Sequence, residues 1–169
     1  MFDFLIIETV GVGQSETFIK NLSDSVILGV QPGSGDSIQF MKSGIFEIPD
    51  IVVVTKCDIK NLSEITYSDL SGSKAYFQNQ NDWEIKIIKI SSAQNIGFDN
   101  LFDELNLRWK WLNENKRLDK LRINQDINWL YSCISKDFGD KGLERIKKNV
   151  SYKNSPFSKL KELKSKFNF

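Results

Sequence analysis

Apolar and polar positions change period several times along this chain, and each change marks an element. Residues 2–9 carry the apolar run FLII followed by Glu8, which reads as a buried strand. Gln14 to Leu22 suit a short helix with Glu16 in its first turn, where a carboxylate meets the positive end of the helix dipole. SVILGV (25–30) is apolar and β-branched, a second buried strand, and QPGSGD then interrupts regular structure at Pro32, Gly33 and Gly35. From about Gly35 to Ile48 a helix is expected, because Ile38, Met41, Ile45 and Ile48 recur on one helical face. Asp36, Gln39 and Lys42 form a polar i, i+3 row away from that face. IPDIVVVTKCD (48–58) is a third strand, fully apolar from Ile51 to Val54. A polar stretch over 59–83 is expected to be helical, and EIKIIKIS (84–91) alternates as a fourth strand, closed by SSAQNIG. A further helix opens near Gly97, with Phe102, Leu105, Trp109 and Leu112 on one stripe.

Strands alternating with helices across short polar links predict an α/β fold, a three-layer parallel sheet covered on both faces. Past Asn113 the strands stop. Ile123, Ile127, Leu130 and Ile134 continue a helical stripe, Gly139 and Gly142 interrupt it, and Leu143, Ile146 and Val150 start another. Ser155 before Pro156 is a helix cap with proline at the first helical position, opening a last helix striped by Leu160, Leu163 and Phe167. Residues 1–113 therefore read as a sheet domain and 114–169 as a helical appendage.

Composition narrows the chemistry. The 169 residues contain no histidine, which rules out Ser-His-Asp and Cys-His catalysis and histidine-ligated metals within them. Cys57 and Cys133 stand far apart, so neither a disulfide framework nor a zinc site is indicated. No apolar run reaches membrane-spanning length and the first residues lack a signal-peptide layout, so a cytoplasmic protein with no membrane partner is expected. The net charge of +1 hides an asymmetry: residues 1–106 carry −8 and residues 107–169 carry +9. The basic lysines are scattered over amphipathic helices without aromatic stacking platforms, which favours a solvated or dimer-rim face over a nucleic-acid surface.

ETVGVGQSE (8–16) joins a strand-end carboxylate to a glycine turn. Glu8 can hold Mg²⁺ directly or through water, and Gly11 lets a backbone N–H approach a terminal phosphate. Alone, such a turn is also an ordinary strand-to-helix connection. In TKCD (55–58) the aspartate can accept two hydrogen bonds from the ring N–H and amino group of guanine, with the stem of Lys56 across the base. At Ser92 and Ala93 a turn N–H can meet the guanine carbonyl oxygen. In this order and on successive strands, the three motifs form the layout of a guanine-nucleotide-binding domain.

ETVGVGQSE, QPGSGDSIQFMKSGIFEIPDIVVVTKCD, SSAQNIG and SPFSKL resemble the MeaB/ArgK/MMAA-type family of P-loop GTPases, of the SIMIBI class. The resemblance implies a GTP- and GDP-binding, Mg²⁺-dependent chaperone of adenosylcobalamin-dependent methylmalonyl-CoA mutase. It implies Glu8 as metal carboxylate, Gly11 as γ-phosphate sensor and Gln14 within the second switch. Asp36, Gln39 and Lys42 would belong to a third switch that meets the mutase. Thr55, Lys56, Asp58, Ser92 and Ala93 would surround the base, and the C-terminal helices would pair two protomers. An older association of this family, with a kinase of lysine, arginine and ornithine transport, remains an alternative, as does a non-catalytic remnant.

Two departures stand out. Thr55 occupies a position where many GTPases have asparagine, and no G-x-x-x-x-G-K-[ST] occurs in these residues. Without that phosphate loop and its strand, weak or no GTP hydrolysis is expected, together with marginal stability. The apolar edges beside the missing strand should either pair with each other or stay exposed.

Overall fold

The computed structural model describes residues 2–9, 16–33, 48–73, 82–147 and 155–166. Gly11, Gln14, Asp36, Gln39 and Lys42, with the helix expected over 35–48, lie outside the described residues. The chain divides into two compact units, 1–117 and 118–169.

The first unit is built on a parallel sheet of three strands, β1 (Ile27–Val30), β2 (Ile51–Val54) and β3 (Lys86–Lys89), in the order β1-β2-β3. Around it run α1 (Glu16–Ile19), α2 (Lys60–Gly72) and α3 (Phe98–Asn113). The register pairs Val30 with Val54 and Val54 with Lys89, so the carboxyl ends of all three strands finish level. β2 is the centre: all four of its residues are 0–2% exposed, although successive side chains point to opposite faces. Val52 and Val54 join Val30, Leu70 and Ile85 in one core cluster, with Tyr67 of α2 packed against it. Burial of Ile51 and Val53 as well means that both faces are covered, as an α/β sheet requires.

An anchor fixes the amino end of β2. Asp50 Oδ2 accepts from Val26 N–H (2.8 Å), while Oδ1 pairs with Arg108 Nη2 at 2.7 Å. The Asp50 carbonyl accepts from Trp83 Nε1 (2.9 Å). The Arg108 guanidinium lies over Trp83 (5.0 Å) and Trp111 (4.6 Å), and Arg117 covers Trp111 at 4.3 Å. Burial pushes the Asp50 carboxyl above its ordinary range, against the opposing pull of Arg108 and the Val26 N–H. The same burial pulls Arg108 below its usual value, with Asp50 opposing it. Desolvation is thus the largest influence on both groups, and the attraction between them opposes it.

Two expectations are corrected. Residues 2–9 form no strand: Phe2, Phe4, Leu5 and Ile6 are 93%, 85%, 84% and 90% exposed. A buried strand needs a neighbour to hydrogen-bond its edge, and no described residue pairs with this run or with the outer edge of β1. Of the two fates expected for the apolar edges, exposure is the one observed; even Ile27 of β1 is 44% exposed. The second correction concerns α3. Arg108 and Leu112 are its buried residues, whereas Phe102 and Trp109 are exposed. The helix is turned so that Arg108 reaches Asp50, and that partner is what allows a charge on the inner face.

The second unit holds α5 (Pro156–Lys166) and all but the first residue of α4 (Arg117–Lys147), which bury Leu130, Ile134 and Leu163 together, flanked by Trp129, Tyr131, Phe138 and Leu160. Gly139 breaks the helical geometry of α4 with φ 65° and ψ −169°, the interruption expected there. α5 begins at Pro156 as its sequence predicts, and Trp129 packs on Phe157 with ring centroids 4.8 Å apart. Asp137 of α4 and Lys164 of α5 form an ion pair at 2.6 Å. The two cysteines are free and half-buried. Among the described residues no helix is long and apolar enough to cross a membrane.

Candidate guanine-nucleotide site

The level carboxyl ends of the strands bring two of the sequence motifs together. T-K-C-D leaves β2 between its neighbours and is tied to both. Thr55 N–H and Oγ1 donate to the Val30 carbonyl of β1 (2.9 and 3.3 Å), and Cys57 N–H donates to Ile90 O beyond β3 (3.0 Å). Lys56, between these ties, has φ 49°, a left-handed conformation that costs a side-chain-bearing residue about 1 kcal/mol. Its exposed ammonium donates to Gln31 Oε1 at 3.0 Å. The hydroxyl of Ser63 in α2, 1% exposed, is shared between the Lys60 carbonyl (2.9 Å) and the Cys57 carbonyl (3.2 Å).

Asp58 is positioned by a residue that the sequence reading passed over. Ser91, fully buried, donates its hydroxyl to Asp58 Oδ1 at 2.5 Å and accepts from Gln94 N–H at 3.2 Å. Ser91 also exchanges both backbone hydrogen bonds with Ile96, 3.0 Å each, which closes the 91–96 turn. Gly97 completes it with φ 81°; a Cβ there would lie 2.0 Å from Lys89 O, so only glycine fits. Ser92 and Ala93 sit exposed on this turn, beside the Asp58–Ser91 pair. The one available signal for Ser91 was its place as the polar residue that ends the alternating run EIKIIKIS.

A carboxylate offers about four lone-pair sites, so the Ser91 bond orients Asp58 and still leaves acceptors for two N–H donors on one edge of a purine. The described residues therefore fit the base half of a guanine nucleotide. The phosphate half is different. Glu8 is exposed within residues 2–9 and no described residue bonds to it. Among the described residues there is no cluster of acidic or thiol side chains able to hold a metal ion.

The family model described as methylmalonyl-CoA mutase-associated GTPase MeaB matches residues 1–147. The chain belongs to the MeaB family. It is 31% identical over 136 residues to the mitochondrial methylmalonic aciduria type A homolog of Caenorhabditis elegans, covering 79% of this chain and 34% of that protein. The mouse protein of the same name is 31% identical over 139 residues, 80% of this chain and 34% of its own length. A probable GTPase of Mycobacterium tuberculosis is 30% identical over 151 residues, 88% of this chain and 44% of that protein. The chain thus spans less than half the length of these curated MeaB-type relatives.

Proposed function

We propose that these residues are the base-reading and partner-facing part of a GTPase chaperone for adenosylcobalamin-dependent methylmalonyl-CoA mutase. The observation that carries the reading is the Asp58–Ser91 hydrogen bond, set beside an exposed turn at Ser92 and Ala93 within a MeaB-family chain. Asp58 reads the guanine edge, the Lys56 stem covers the ring, and an N–H of the turn meets the carbonyl oxygen. Thr55 braces the loop through the β1 carbonyl. Glu8 is the carboxylate for Mg²⁺, which when bound would neutralise phosphate charge, and Gly11 and Gln14 belong to the segment that senses the terminal phosphate. Asp36, Gln39 and Lys42 face the mutase, and the helices of 114–169 pair two protomers in the cytoplasm.

The bare apolar run at residues 4–7 and the open edge of β1 support a sheet that takes a further strand between them, the one leading into the phosphate loop of P-loop folds. On this reading the 169 residues alone bind GDP weakly and hydrolyse GTP poorly or not at all. Titration with GDP, ADP and XDP tests the base site. Wild type is expected to prefer GDP, and Asp58→Asn to shift preference to XDP, whose extra carbonyl matches an amide donor. Equal binding of GDP and ADP by wild type would sink the guanine reading. The chaperone role needs a chain that includes a phosphate loop, and nucleotide-independent association of such a chain with the mutase would count against it.

A further inference from the structure

The T-K-C-D loop is tied forward to β3 and backward to β1, and the backward tie includes a side-chain bond that base reading does not require. Thr55 holds the Val30 carbonyl, and the next residue on each strand repeats the link through side chains, Lys56 Nζ to Gln31 Oε1 at 3.0 Å. Gln31 opens the QPGSGD loop, whose first residues are themselves seated. Pro32 is buried, and Gly33 has φ 72° with Leu62 of α2 3.2 Å from where a Cβ would stand. The amide that meets Lys56 therefore projects from a fixed point.

Resting on the guanine reading, we infer that Gln31 is a positioning residue for the base. It holds the Lys56 stem in place for the purine ring. A free lysine samples many rotamers and loses them when its stem is laid against a ring. A bond that fixes Nζ beforehand removes part of that loss from binding. The left-handed backbone of Lys56 is consistent with this, since it is where the stem departs from the line of β2 toward the end of β1.

The test compares Gln31→Leu, which removes the acceptor at similar size, with Gln31→Glu, which keeps it, in the full 169-residue chain. Amide resonances of Thr55 to Asp58 are expected to shift in Gln31→Leu and to change little in Gln31→Glu, without any nucleotide present. By titration with N-methylanthraniloyl-GDP, Gln31→Leu should weaken binding about fivefold and Gln31→Glu less than about twofold. In a Lys56→Met background Gln31→Leu should have no further effect, because the bond is already gone. A fivefold loss that persists in that background overturns the proposal, as do undisturbed resonances in Gln31→Leu. GDP binding indifferent to Gln31→Leu overturns it alone, whereas a wild type that ignores GDP removes the guanine reading and this role together.

Discussion

Two wholly apolar four-residue runs in this chain, FLII (4–7) and IVVV (51–54), have opposite fates. Ile51–Val54 is 0–2% exposed at every residue, while Phe4 to Ile6 are 84–90% exposed. Both runs precede a motif that carries candidate chemistry, and both are strand-like in pattern. What separates them is company. β2 has a hydrogen-bonded neighbour on each side and helices over its faces, and Asp50 ties its amino end to Val26, Arg108 and Trp83. The FLII run has no described strand beside it, so its apolar side chains have nothing to bury against. Hydrophobicity supplies the driving force for burial, but a strand realises it only when its backbone is paired.

The anchor is the most sensitive point of this contrast. Asp50→Ala leaves the Arg108 charge buried without its partner and is expected to cost about 4 kcal/mol, read as a drop in the urea midpoint. A loss under about 1 kcal/mol would mean that water, not Asp50, solvates Arg108. Next in size is a matched pair of isoleucines. Ile51→Ala, at a residue with no exposed surface, should cost about 3 kcal/mol, whereas Ile6→Ala should stay within about 0.5 kcal/mol. Equal losses at the two sites would show that the first run is buried in solution. The smallest effect is one of exchange and involves no substitution. Amides of Ile51 to Val54 should exchange with deuterium only on unfolding of the first unit, while those of Leu5 to Ile7 exchange near the unprotected rate.

The central architecture was legible because its signals are local. The apolar run after IPD read as a strand and is one, the alternation of EIKIIKIS located β3, and the helix expected to open near Gly97 is α3. Ser155 and Pro156 marked the start of α5 for the same reason, since a cap acts within a few residues. The inner face of α3 was legible only at Leu112. Periodicity favoured Phe102 and Trp109, yet Arg108 lies inside, because its partner Asp50 is far away in sequence. Of the candidate site, T-K-C-D and the turn at Ser92 and Ala93 could be read as motifs. That Ser91 holds Asp58, and that Lys56 meets Gln31, could not, because both bonds join different strands.

The sequence by itself determined the order and type of the elements in the first unit's sheet, the glycine turn at its edge and the motifs that tie the chain to its family, all of which depend on neighbours a few residues apart. The tertiary structure alone decided which apolar runs are buried, which face of α3 turns inward and which side chains steady Asp58 and Lys56. Those outcomes depend on contacts between strands and helices distant in sequence, where desolvation and hydrogen-bond pairing are settled together.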